Sequence, residues 1–193
     1  MRLLLFTISL MLAGSTFAHI TMGEVLKSMP DTLVPYLTGN NRLDMIDFKE
    51  ARMKAEVRNA QEGRSELVTL TDRYADLVLN EAHRMQLRLL DVVPAVDSCQ
   101  CVICIVDTYG TEARESTIRF FSLTWRQLNA AQFVTLPPHF ASPAVSVFTA
   151  ELHEDTEELT LTPSSYYDRP AMEEQQTERI IPIKLKWTSN FFK

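Results

Sequence analysis

Cys99, Cys101 and Cys104 are the only cysteines of the chain, and they form a C-x-C-x-x-C cluster. Three thiolates with one further ligand hold zinc tetrahedrally, so the cluster is a candidate metal or redox centre. Its surroundings favour another reading. Positions 101–106 (Cys-Val-Ile-Cys-Ile-Val) are apolar throughout, as in a strand covered on both faces. Along a strand Cys99 and Cys101 share one face and Cys104 takes the other. Bridging Cys99 to Cys101 would span about 7 Å, the upper limit for a disulfide. An odd count leaves at least one thiol free. Buried, unreactive cysteines are the expectation.

Asp44 and Asp47 lie one helical turn apart, with Glu50 one turn further on. Two acids at a suitable separation serve as general acid and base, or hold a divalent ion. A solvated helix face carries the same spacing, with Asp44 favoured near the positive end of the helix dipole. Glu151, His153, Glu154, Asp155, Glu157 and Glu158 gather around one histidine, without the glycine and regular ligand spacing of a calcium loop. A solvated hairpin is expected there. His83 and His139 have no H-x-x-x-H or nucleophile partner nearby. Trp125, Tyr166, Tyr167 and Trp187 are candidate platform residues for a sugar or peptide, and Asn40, Asn41 and Arg42 are polar candidates for binding. Sheet packing is the competing role for the aromatics, above all for Trp187.

These residues depend on the elements that carry them. Thr21 and Glu24 have capping-box spacing before an apolar stripe of Val25, Leu26 and Met29, which Pro30 ends. A short turn capped by Asp31 or Thr32 follows and closes at Gly39. Asn40 or Asn41 then caps a helix over residues 42–53, with Leu43, Ile46, Glu50 and Met53 on one face and Met45 and Phe48 widening it. Strands are expected at 55–61, 67–70, 74–79, 83–90, 99–108 and 117–123, joined by short turns into an antiparallel meander. In 83–90, Met85, Leu87 and Leu89 alternate with Arg84, Gln86 and Arg88, the pattern of a half-buried strand. A turn near Pro94 would set Leu90 against Cys99 and His83 against Val106. Residues 125–133 read as a helix, and 142–152 as either helix or strand. Strands at 158–162 and 181–187 flank an exposed polar loop at 168–179. The expected fold is α+β: short N-terminal helices packed on a predominantly antiparallel meander sheet.

Composition narrows the function classes. Nineteen Lys and Arg against twenty-five Asp and Glu leave a net charge of −6, which argues against a nucleic-acid partner. The five glycines (14, 23, 39, 63 and 110) are too scattered for a GxGxxG dinucleotide loop, a GxxxxGK[ST] phosphate loop or a GxSxG elbow. No cofactor is called for. Arg2, an apolar run over 3–12, and Thr16 and Ala18 before His19 have the form of a secretory signal peptide with cleavage after Ala18. The run is about half the length that a membrane span requires. The expected organisation is a signal peptide at 1–18 and one domain at 19–193, with a weak subdivision near 123–140. No transmembrane segment is expected after cleavage.

Several segments also carry a resemblance. They are Met29-Pro30-Asp31, Leu33 to Leu37, the run from Asn40 to Phe48 (NNRLDMIDF), Met53 to Val57, the cysteine strand, the segment ending in Trp125, and Leu185-Lys186-Trp187. Together they resemble an uncharacterised family of exported Bacteroidales proteins, a domain of unknown function. That resemblance implies the periplasm or envelope of a Gram-negative bacterium and assigns no activity or site residue. The leading expectation is a non-enzymatic exported protein that binds a protein, peptide or glycan of the envelope. The alternatives are a hydrolase using Asp44 and Asp47, and a metal or redox protein using the three cysteines.

Overall fold

The computed structural model describes residues 20–137, 140, 147–163 and 182–193. The signal-peptide segment, His139, Tyr166, Tyr167 and the polar loop at 168–179 lie outside the described residues. Thr21 starts α1 (Met22–Ser28) through the full capping box: its hydroxyl accepts from the Glu24 amide, and the Glu24 carboxylate accepts from the Thr21 amide at 2.9 Å. A single 3-10 turn, Asp31–Leu33, leads to α2 (Gly39–Glu50). Thr38, rather than Asn40 or Asn41, caps α2, and Asn41 supplies the third-position side chain of a second capping box.

The buried stripe of α2 also differs from the expected one. Arg42, Met45 and Ile46 face inward, whereas Leu43 is 42% and Met53 57% exposed. The helix stops at Glu50, so Met53 has no place on its face. The inward position belongs to Arg42 because its guanidinium satisfies the ends of neighbouring elements. Nε donates to the Leu26 carbonyl at 3.0 Å, Nη1 to Leu37 at 2.9 Å and Nη2 to Met29 at 2.7 Å. Nη1 also reaches the Asp31 carboxylate at 2.8 Å. A fork of fixed donors suits several carbonyls converging from different directions.

Seven strands follow in chain order as neighbours in one antiparallel sheet: β1 (Glu56–Arg58), β2 (Arg64–Leu70), β3 (Tyr74–Asn80), β4 (His83–Val96), β5 (Cys99–Tyr109), β6 (Glu115–Phe121) and β7 (Gln127–Leu128). A second antiparallel sheet has the order β10-β9-β8, from β8 (Phe148–Leu152), β9 (Glu158–Pro163) and β10 (Ile183–Lys186). The described part of the ambiguous 142–152 segment is therefore strand. The segment at 125–133 is not the expected helix. Trp125 has φ 63°, in the left-handed region, and Asn129 caps only a 3-10 turn at Ala130–Gln132.

The turn between β4 and β5 lies at Asp97 and Ser98 (φ 49° and 65°) and not near Pro94. Two consecutive left-handed residues are the conformation that closes a two-residue hairpin. Pro94 sits in an irregularity between Asp91 and Val96, and the expected register shifts by three: Leu90 opposes Val102 and His83 opposes Tyr109.

Odd-numbered residues of β3 to β5 face the helices. Leu77, Met85, Leu87, Leu89, Ile103 and Ile105 pack there with Val25, Leu26, Met45 and Ile46. Even-numbered residues face the small sheet, where Leu90, Val102, Cys104 and Phe120 meet Leu152, Leu159, Leu161 and Trp187. β5 is thus covered on both faces, as its apolar run requires. β4 is also covered on both, which corrects the half-buried expectation: Gln86 and Arg88 are buried beneath the small sheet.

Candidate functional site

Apart from His83 and Glu151, which line the groove described below, the residues singled out in the sequence do not assemble. Asp44, Asp47 and Asn40 stand exposed on α2. Asn41 is spent on the cap and on the Arg58 carbonyl, and Arg42 is the buried staple just described. Trp125 packs beside Phe121 on the helix face and donates its indole N–H to Ser28. Trp187 lies in the other core, 5% exposed, with its N–H on the Asp91 carbonyl. The two tryptophans therefore stand on opposite faces of the large sheet and share no platform. Cys99 and Cys101 diverge from Cys104 as strand alternation dictates, and all three are free thiols. Burial raises the Cys101 and Cys104 thiols above their ordinary range. Among the described residues no three His, Cys, Asp or Glu side chains converge as a metal site.

One opening among the described residues lies where the small sheet departs from the large one. β8 is fastened over β3 and β4 by buried polar side chains. Gln86 Nε2 donates to the Leu152 carbonyl at 3.1 Å, and the Leu152 amide donates back to Gln86 Oε1 at 3.2 Å. The same Nε2 donates to the Tyr74 hydroxyl at 2.7 Å. Burial, reinforced by the Asp76 charge, pushes that phenol up to about 12. Arg88 Nη1 holds the His153 and Glu154 carbonyls at the following turn, at 2.5 and 3.0 Å.

On the other side of this fastening is a groove of about 250 Å³. Its floor is Val78, Asn80, Arg84 and Thr108 of the large sheet, and its wall is Thr149, Glu151, Thr160 and Thr162 of the small one. Arg84 is fixed by a bidentate pair, Nε and Nη2 each 2.8 Å from Asp76, which raises its proton affinity. Its Nη1 stands 3.6 Å from Glu151 across the angle between the sheets. Thr108 and Ser116 share a hydroxyl hydrogen bond of 2.8 Å. Donors and acceptors alternate around the groove, and those on the floor are held in place before any ligand arrives.

Against the floor, with His83 reaching the groove lining, is a buried polar cluster. Asp107 is fully buried on the helix face, one residue from Thr108. His83 Nε2 lies 3.0 Å from Asp107 Oδ1, and Arg119 places Nε and Nη2 at 3.1 and 2.5 Å from Oδ2. A carboxylate only accepts, so Nε2 carries the proton of this contact. Nδ1 is buried without a partner among the described residues. Tyr109 stacks on the imidazole at 4.2 Å between ring centroids, and Tyr36 meets it edge-on at 5.7 Å. Burying an ionised group is expensive unless it is paired and hydrogen-bonded, and Asp107 is both. Because successive strand residues point to opposite faces, Arg84 and Thr108, next in sequence to His83 and Asp107, lie on the side of the small sheet.

The partner of His83 stands 24 residues away on the neighbouring strand, beyond any short-range motif. The available signal was Asp107 itself, a charge directly following six apolar residues.

The fold is shared with a solved structure described as "Structure of a domain of an uncharacterized protein from Porphyromonas gingivalis W83". The match has a TM-score of 0.64 at 19% identity, covering 89% of this chain and 96% of that one. At that identity the likeness concerns the fold alone. No curated protein matches the sequence. The family model described as "Protein of unknown function (DUF3256)" matches residues 15–162. That span is most of the chain, and the chain belongs to this family.

Proposed function

We propose that this protein is a non-enzymatic binding module exported to the bacterial envelope, and that the groove between its two sheets seats a protein, peptide or glycan partner. The observation that carries this reading is the groove: an open concavity in which Asn80, Arg84 and Thr108 are already held by hydrogen bonds within the protein. Preorganised donors and acceptors favour binding because little side-chain entropy remains to be lost. Its volume of about 250 Å³ suits one side chain, a short peptide stretch or a single sugar unit rather than a large substrate.

The acids a hydrolase would use, Asp44 and Asp47, line neither this groove nor one another's contacts. Export is supported by the n-region, apolar run and small-residue pattern before His19. No helix among the described residues is long and apolar enough to cross a membrane.

The test has two parts. Mass spectrometry of the protein recovered from envelope fractions should give a chain starting at His19. Calorimetric titration of that chain with envelope peptides and soluble glycans should show retention without turnover, lost in an Asn80→Ala/Glu151→Gln variant. Turnover abolished by Asp44→Asn and Asp47→Asn would contradict the proposal.

A further inference from the structure

We infer that the groove takes an extended peptide, paired as an additional strand along the edge of β8 that has no neighbouring strand among the described residues. This rests on the binding-module reading above and selects one ligand class within it.

The Leu152 N–H and C=O both turn away from β9 and are taken by the Gln86 carboxamide, one donor and one acceptor on the same residue. A neighbouring strand presents that pair of groups to an edge residue, so the side-chain amide occupies the place of a strand's peptide unit. Leu152 opposite Leu159 is therefore a pair not hydrogen-bonded across the sheet.

Antiparallel pairs alternate, so Glu151–Thr160 is hydrogen-bonded, Ala150–Leu161 is not, and Thr149–Thr162 is again. The next pair, Phe148–Pro163, agrees: Pro163 has no N–H to contribute. Ala150 must then direct its N–H and C=O outward along the same edge as Leu152. Ala150 lines the groove, and no hydrogen-bond partner for those two groups exists among the described residues. β8 is the last strand of its sheet among the described residues.

An edge with an unspent donor and acceptor is a template for strand addition. A sugar would find scattered hydroxyls here, but a peptide finds the one pairing already demonstrated two residues away. Side chains of the added strand would alternate between Val78 on the floor, which favours a small apolar residue, and the rim beside Thr149 and Glu151, which favours a hydroxyl or a cation.

A randomised linear hexapeptide library displayed on phage, panned on the chain starting at His19, supplies the probe. The best binder is then synthesised with N-methyl groups on alternate residues, in each of the two phases. One phase should lose about tenfold or more in affinity and the other should bind within about twofold, since only one set of amides faces β8. Ala150→Pro removes the edge donor without touching the β9 ladder, and should weaken binding by a similar factor.

Should that variant fold poorly by circular dichroism, amide exchange in the wild type decides instead. The Ala150 amide should become protected on peptide addition. Equal binding by both methylated phases, or an unprotected Ala150 amide in the complex, would overturn the inference. If no peptide is enriched while a soluble glycan binds and Asn80→Ala/Glu151→Gln abolishes it, the peptide assignment fails and the binding module stands. If neither class binds, both fail.

Discussion

Two polar regions of this molecule look opposite in sequence and in structure. The stretch from Asn40 to Asp47 is the most distinctive run in the chain, dense in amides and charges, and its polar groups turn out to hold the fold together or face water. The groove draws on residues scattered over β3, β4, β5, β8 and β9, most of them unremarkable beside their neighbours in sequence, and it is the region proposed to seat a partner. Arg42 and Arg84 show the contrast within one residue type. Arg42 spends its donors on three backbone carbonyls and one carboxylate, whereas Arg84 is held by Asp76 with Nη1 left beside the opening. Local density of polar residues therefore does not mark which side chains keep polar groups beside an opening, and what the neighbouring elements leave unpaired does.

The contrast can be broken by substitution. The largest effect belongs to Arg42→Met, which strands the Leu26, Met29 and Leu37 carbonyls. We expect a loss of about 3–5 kcal/mol in urea unfolding, with ligand affinity unchanged in whatever folded protein remains. Asp107→Asn comes next at about 2–3 kcal/mol, because Arg119 and the His83 N–H lose their common acceptor charge. That variant should also weaken ligand binding, since the floor of the groove is supported from behind. A Thr38→Ala change removes the α2 cap and should cost about 1 kcal/mol without affecting binding. Smallest of all, Asp44→Asn with Asp47→Asn should stay within about 0.5 kcal/mol of wild type.

pH provides a separate check on the buried region. Cys104 and Tyr74 both have proton affinities raised by burial, Tyr74 to about 12. The folded state therefore keeps its protons where the unfolded chain would lose them. Their contribution to stability is complete below about pH 9, the ordinary thiol value, and declines as pH rises from there toward 12. Urea midpoints measured across that range should fall. Thiol labelling should leave Cys104 unmodified in the native protein and reach it on unfolding.

Much of the fold was legible because strand alternation survives without context. The positions of β3, β4, β5, β6 and β9, the two-sided burial of β5 and the cap of α1 all follow from local pattern. What local pattern does not carry is which polar residues will be covered. Arg84, Gln86 and Arg88 alternate with three apolar residues and read as a wet face, yet β8 packs onto them from 66 positions further along the chain. The register of β4 on β5 departs from the expected one for a related reason: Pro94 is a strong turn signal, but the Asp97-Ser98 pair adopts the two left-handed conformations a tight hairpin needs. The groove was invisible for both reasons together, since it exists only once the second sheet has docked in this register.

The central claim is that binding belongs to the groove and not to the Asn40–Asp47 run. Its most direct test is a side-by-side titration of the ligand recovered from panning against wild type, Asn80→Ala/Glu151→Gln and Asp44→Asn/Asp47→Asn. The account predicts about tenfold or greater loss in the groove variant and wild-type affinity in the α2 variant. Full affinity in the groove variant with loss in the α2 variant would contradict it.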